Sequence, residues 1–282
     1  MCSSQPGLAV VVGVDNSAAA RRAAVWAVDE AVSRDIPLKL VHILEPESSD
    51  LAGLVAKRSR GEIAIRQAVS AIETTGKPVK LESEILSGGT AGMLIRLSRR
   101  AVMLCVGAVG SDPDHHGLIG STAVAIAGSA HCPLAVVHGA APLASAAANL
   151  IMVATDDSPD DGVLLHTAVR EAALRAGPLR VITCWRPPHS DVETTKEGDR
   201  QIRAQLERRL ARWRHAHSGI SVETVPVHGD LADYVRTHAA ELQMLIVSAR
   251  GPGHVRDVVG PVCNAALARA ACTVLIVDRL HL

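Results

Sequence analysis

The chain of 282 residues contains no phenylalanine, one tyrosine and three tryptophans, so aromatic residues make up only 1% of it. Single-stranded nucleic acid is held largely by stacking bases on aromatic faces, so this composition argues against that function. A surplus of either charge is also missing. Lys and Arg number 29, as do Asp and Glu, giving a formal charge of zero. Binding duplex nucleic acid through bulk electrostatics needs an excess of Lys and Arg, and none is present. Long apolar runs are lacking too. Residues 117–155 carry no charge, but Gly120, Gly128, His131, Pro133, Gly139 and Pro142 interrupt them. A membrane helix needs about 20 continuous apolar residues, so no membrane span is expected. None of the six cysteines forms a CxxC pair or a Cys/His set with zinc spacing. Cys105 and Cys184 lie in apolar, strand-like runs and read as buried, reduced thiols. No secretory signal is read at the N-terminus, and a cytoplasmic location is expected.

The chain does have an apolar fraction of 48%, carried by Ala, Val, Leu and Ile, and an internal repeat. A β-branched run ends in Asp15, Asn16 and Ser17; a second ends in Asp156, Asp157 and Ser158. Asp15 and Asp156 are 141 residues apart, and the same offset relates Ile43 to Cys184, Gly88 to Gly229 and Gly110 to Gly251. After one deletion the offset is 140 and relates Cys132 to Cys272. A constant offset over many landmarks marks a duplication. Two domains follow, residues 1–141 and 149–282, joined by a linker rich in alanine.

Each copy alternates strand and helix. In the first, strands are predicted at 8–14, 38–44, 79–86, 102–107 and 134–138, with helices at 18–33, 51–75, 91–99 and 122–130. In the second, strands are predicted at 150–155, 179–185, 221–228, 244–248 and 274–278. Ser17 and Ser158 suit helix N-caps, and Pro159 suits a first helical position. Strands separated by helices give an α/β fold, here two tandem Rossmann-like domains with parallel, doubly wound sheets. Such sheets bind ligands at the carboxyl ends of their strands.

The segment most informative about chemistry runs from Gly107 to Thr122. Gly107, Ala108, Val109, Gly110 and Ser111 follow a buried strand, and Gly120, Ser121 and Thr122 open a helix. Glycines let the backbone turn and approach a ligand closely. Amides at a helix start, with the Ser111, Ser121 and Thr122 hydroxyls, favour phosphate. Asp15, just after Gly13 at the end of the first strand, can accept from a ribose hydroxyl or a nucleobase amine. Asp114, His115 and His116 resemble a phosphoesterase motif but lack its companion aspartates. Gly76, Lys77 and Pro78 lack the pattern of a P-loop. No paired-carboxylate base, Ser-His-Asp grouping, Walker lysine or metal set is found, so no catalytic residue is assigned.

The spacing G-x2-G-x9-G-[ST] at Gly107, Gly110, Gly120 and Ser121, with Val12–Asp15 and the Cys132-Pro133 pair, resembles the universal stress protein family. The resemblance covers essentially the whole chain as two tandem domains. It implies a five-stranded sheet of order 3-2-1-4-5 in each, with helices on both faces. It also implies ATP, alone or with Mg²⁺, held by Asp15, a backbone contact at Ile43 and the glycine loop. In the second copy the corresponding residues are Asp156, Cys184, Ser248, Gly251 and Gly260. Ser248 replaces a glycine, the final spacing is one residue shorter, and Pro261 replaces the Ser or Thr and offers no N–H. Weak or absent ATP binding is expected there. The function so implied is a nucleotide-dependent regulator or sensor in the stress response. The alternatives are a slow ATP-hydrolysing enzyme of the same superfold and a nucleotide-independent interaction protein.

The final strand of each copy is apolar (Leu134–Val137; Val274–Val277) and lies at a sheet edge in the family's strand order. An apolar edge recruits another strand. Pairing of the two domains within one chain is therefore expected, and a homodimer of whole chains is compatible with it. Residues 1–142 expressed alone should then self-associate. Light scattering at tens of micromolar tests this expectation, and a stable monomer would refute it.

Overall fold

The computed structural model describes residues 8–45, 51–110, 120–138, 148–156, 158, 161–186, 192–216, 219–249 and 261–278. They fall into two compact units, one on each side of residues 139–147. In the first unit the order is β1 (Ala9–Gly13), α1 (Ala18–Ser33), β2 (Leu38–Leu44), α2 (Leu51–Glu73), β3 (Leu81–Ser87), α3 (Thr90–Ser98), β4 (Ala101–Gly107), α4 (Ser121–Ala127) and β5 (Leu134–Val137). The second unit repeats it: β6 (Leu150–Thr155), α5 (Asp161–Arg175), β7 (Leu179–Trp185), α6 (Val192–Ala216), β8 (Val222–His228), α7 (Leu231–His238), a 3₁₀ turn (Ala239–Glu241), β9 (Leu242–Ser248), α8 (Pro261–Arg269) and β10 (Thr273–Val277).

Within the first unit the strands run parallel in the order β3-β2-β1-β4-β5. Within the second they run parallel in the order β8-β7-β6-β9-β10. Numbered from the start of each copy, both sheets have the order 3-2-1-4-5 that the family resemblance implies. Parallel strands covered on both faces must be apolar throughout. Val10, Val12, Leu104 and Cys105 are accordingly fully buried, as are Ile151, Val153, Leu245 and Ile246. In the first unit α1 packs on α2 and α3 on α4. The outermost strands β3 and β8 carry charges that tie them inward. Lys39 reaches Glu84 at 2.7 Å and Arg180 reaches Glu223 at 2.7 Å.

The duplication extends to a buried ion pair. Near the end of α1, Glu30 is fully buried and meets Arg34 at 2.5 Å; near the end of α5, Glu171 meets Arg175 at 2.5 Å. Removing one partner of such a pair leaves an uncompensated charge in the interior. Cys105 is buried, as expected, whereas Cys184 is only half-buried because β7 reaches the open carboxyl end of its sheet. Burial pushes the Cys132 thiol up to about 12 and raises the Cys272 thiol further still.

One glycine carries a packing role that its sequence reading did not include. Gly107 was expected to give the backbone a turn and access to a ligand. A Cβ there would sit 2.7 Å from the backbone of Ala19 and Ala20. The buried face of α1 is built from alanines, Ala19, Ala20, Ala23, Ala24, Ala27 and Ala31. That small face lets the helix backbone lie directly on the end of β4, and only glycine fits beneath it. Gly107→Ala should therefore destabilise the first unit by about 1–3 kcal/mol through overpacking. Urea denaturation measures the change, and a midpoint equal to that of the parent protein would contradict it.

Candidate functional site

The site begins with a stagger between two strands. β1 ends at Gly13, opposite Val41, and Val14 N–H makes the last bond to Val41 O at 2.9 Å. β2 continues to Leu44, held on its other side by β3. In a parallel ladder the N–H and C=O of one residue point to the same neighbour, and successive residues alternate. Pro37 and Val41 address β1, whereas Leu38 and Leu44 address β3. Ile43 therefore aims its N–H and C=O toward β1 at a level β1 no longer reaches. These two groups face a cleft, which gives the expected backbone contact at Ile43 a physical basis.

The turn after β1 fixes the next group. Asp15 Oδ1 accepts from Ser17 N–H at 2.8 Å, and Ser17 Oγ accepts from Ala20 N–H at 3.0 Å as the cap of α1. His42 Nδ1 lies 2.8 Å from Val14 O. A carbonyl only accepts, so this ring nitrogen carries the hydrogen and braces the turn. Gly110 completes the approach, since a Cβ there would lie 3.5 Å from Asp15 Oδ2.

The third group is the start of α4. Gly120 N–H was expected to be available to an anion. It donates instead to Ala108 O at 2.6 Å, closing the loop that leaves β4. Ala108 is itself buried and is anchored by its N–H to Val137 O at 2.9 Å. The first intrahelical bond is Val124 N–H to Gly120 O at 3.1 Å. The amides of Ser121, Thr122 and Ala123 precede it and have no acceptor inside the helix. The anion-facing donors are thus displaced by one residue from the sequence reading.

These parts enclose a cleft of about 570 Å³ at the carboxyl ends of β1, β2 and β4. Gly13, Asp15, Ile43, Gly107, Val109, Gly110, Gly120, Ser121 and Thr122 line it. Ala108 lies behind the wall, and Ser111, Asp114, His115 and His116 lie outside the described residues. Sequence reasoning missed a polar rim on the far side. Lys57 and Arg60 of α2, Glu45 after β2 and Thr90 of α3 also line the cleft. Lys57 Nζ donates to Glu45 O at 3.0 Å, and Thr90 Oγ1 donates to Glu45 Oε1 at 2.8 Å. The signal for the cations was present, because residues three apart on a helix share a face.

The second unit keeps the turn but changes its surroundings. Asp156 Oδ1 accepts from Ser158 N–H at 3.0 Å, as Asp15 does from Ser17. At the place of Val14 and His42, Thr155 Oγ1 and Thr183 Oγ1 are 2.7 Å apart, and Thr155 Oγ1 also donates to Ile182 O. At the place of Ala20 stands Asp161, fully buried and 3.4 Å from Arg209 Nη1. Arg209 also donates to Ser158 O at 2.9 Å. Ser248, at the place of Gly107, is fully buried, and Cys184 immediately precedes Trp185, the last residue of β7. The Trp185 indole donates to Asp199 Oδ1 at 3.0 Å, and His228 Nε2 lies 2.8 Å from the same oxygen. Gly251, Gly260 and Pro159 lie outside the described residues.

Two parallel 3-2-1-4-5 sheets, the first with a polar cleft at its strand ends, define a tandem Rossmann-like protein. Comparison with known proteins gives the family. The sequence model of the universal stress protein family matches residues 9–138 and again 149–278, and the chain belongs to that family. It is 41% identical over 276 residues to universal stress protein Rv2028c of Mycobacterium tuberculosis, covering 97% of each chain. It is 36% identical over 271 residues to universal stress protein Rv3134c of the same organism, covering 96% of this chain and 99% of the relative. A universal stress protein from Archaeoglobus fulgidus, of known crystal structure, superposes with a TM-score of 0.70 over 96% of each chain at 15% identity, a likeness of fold.

Proposed function

We propose that the first unit binds ATP and that the protein works as a nucleotide-dependent regulator or sensor in the stress response. The observation that carries this reading is the convergence of three kinds of group on one cleft. The unsatisfied backbone pair of Ile43 suits the edge of an adenine, which offers a donor and an acceptor side by side. The Asp15 carboxylate suits ribose hydroxyls. The Ser121, Thr122 and Ala123 amides, with two hydroxyls, suit phosphate oxygens. Binding by these groups needs no bond to be broken, which favours sensing over turnover.

The second unit is proposed not to hold ATP. In its first helical turn the larger Asp161, buried and paired with Arg209, stands at the place of the cleft-lining Ala20 of the first unit. Pro261 removes an amide from the opposing helix start. Both changes oppose a polyphosphate.

Thermal melts test the first proposal. Ligand binding to the native state alone adds about 2.7 kcal/mol at a hundredfold excess over Kd, so Mg-ATP should raise the midpoint by several degrees. An unchanged midpoint would refute it. Gly120→Glu separates binding from folding. A Cβ at Gly120 meets only ordinary contacts, 3.5 Å to Ala108 O and 3.7 Å to Gly110 N. The substitution should leave the ligand-free midpoint nearly unchanged and abolish the ATP-induced rise. Calorimetric titration should count one ATP per chain, and a value of two would overturn the reading of the second unit.

A further inference from the structure

The helix α2 approaches β2 very closely at one point. Gly61 is buried within that helix, and a Cβ there would lie 2.5 Å from His42 Cδ2, 3.1 Å from Nε2 and 3.2 Å from Cγ. The imidazole thus occupies the room that a helix side chain would need. Glycine is unfavourable in a helix interior relative to alanine, and the packed ring gives the reason for it here. The same ring donates from Nδ1 to Val14 O at 2.8 Å. The Val14 carbonyl belongs to the planar peptide that joins Val14 to Asp15, so holding it fixes the backbone entering Asp15. Asp15 lines the cleft, and Gly61 stands outside its wall. A chain of contacts therefore runs from α2, through His42, to the residue that faces the ligand.

The second unit replaces both members of the contact together. The repeat offset places Thr183 at the position of His42 and Ile202 at the position of Gly61. Where the strand residue shrinks from a ring to a short hydroxyl side chain, the helix residue grows from glycine to isoleucine. Such a reciprocal exchange is expected of two groups that share one space. The brace changes as well, since the Thr183 hydroxyl there meets the Thr155 hydroxyl at 2.7 Å.

We infer that His42 is a positioning residue for the ligand: lodged against Gly61, its ring holds the Val14 carbonyl and so sets the Asp15 carboxylate where a ribose hydroxyl can donate to it. The inference rests on the nucleotide reading of the cleft. It adds that α2 governs the Asp15 contact through Gly61, a residue that does not touch the ligand.

Calorimetric titration of the full chain with ATP and with 2′,3′-dideoxy-ATP decides it. The two ligands share base and phosphates and differ only in the ribose hydroxyls. His42→Leu keeps apolar bulk and removes the donor. It should weaken ATP by about tenfold, as expected when a hydrogen bond to a carboxylate is misplaced, and dideoxy-ATP by no more than about twofold. His42→Asn puts an amide nitrogen near the place of Nδ1 and should return ATP binding to within about threefold of the parent. Gly61→Ala leaves His42 and every cleft-lining residue in place, and alanine favours the helix. By pressing on the ring it should still weaken ATP several-fold and again spare dideoxy-ATP. Circular dichroism with a melt checks that each variant is folded, and if His42→Leu does not fold, Gly61→Ala decides by the same comparison of ligands. The inference is overturned if these variants bind ATP as the parent does, if both ligands are weakened equally, or if His42→Asn binds ATP no better than His42→Leu. ATP binding by the parent leaves the nucleotide reading intact in each of those cases. If the parent binds no nucleotide, both readings fall together.

Discussion

The first unit's cleft depends on the unequal lengths of β1 and β2. β1 stops opposite Val41 while β2, supported by β3, runs on to Leu44. This stagger turns one peptide pair at Ile43 away from any ladder and leaves room above the end of β1. An unsatisfied backbone pair in the interior is costly, and a ligand edge or water must complete it. The turn that follows is held by Asp15, Ser17 and His42, each through a bond of 3.0 Å or less. The cleft is thus a consequence of register, maintained by three local hydrogen bonds.

Duplication allows each feature to be compared with its counterpart in the same chain. The turn survives in both units, since Asp15 and Asp156 make the same bond to the residue two positions on. The buried Glu–Arg pair survives as well. What changed lies around the cleft. Ala20 became Asp161, Gly107 became Ser248 and Leu44 became Trp185. The larger face of α5, built with Leu164, Leu165 and Val169, does not require a glycine beneath it. The turn and the ion pair were retained in both halves, while residues around the cleft diverged.

Nearly every element was legible in the sequence, because apolar runs and caps are local signals, whereas the strand order followed only from the family resemblance. Element boundaries moved by one to three residues, as at β3, where residues 79 and 80 precede the ladder. The site was less legible for three separate reasons. Gly107 carries the family spacing, but its purpose depends on how closely α1 approaches, which is a tertiary fact. The Gly120 amide belongs to a loop closure with Ala108, which no spacing reveals. Lys57 and Arg60 lie in a long polar helix whose charges read as a solvated face until the helix is placed beside β2.

The charge of the whole chain and the charge of its cleft carry different information. A net charge of zero weighs against partners attracted by a broad field, because exposed charges are screened beyond about 10 Å. Inside a cleft the separations are shorter and water is partly excluded, so individual groups count. Asp15, Glu45, Lys57 and Arg60 line the cleft together, so its described acids and bases balance as those of the whole chain do. What sets the cleft apart is therefore where its charges are held, and not their sum.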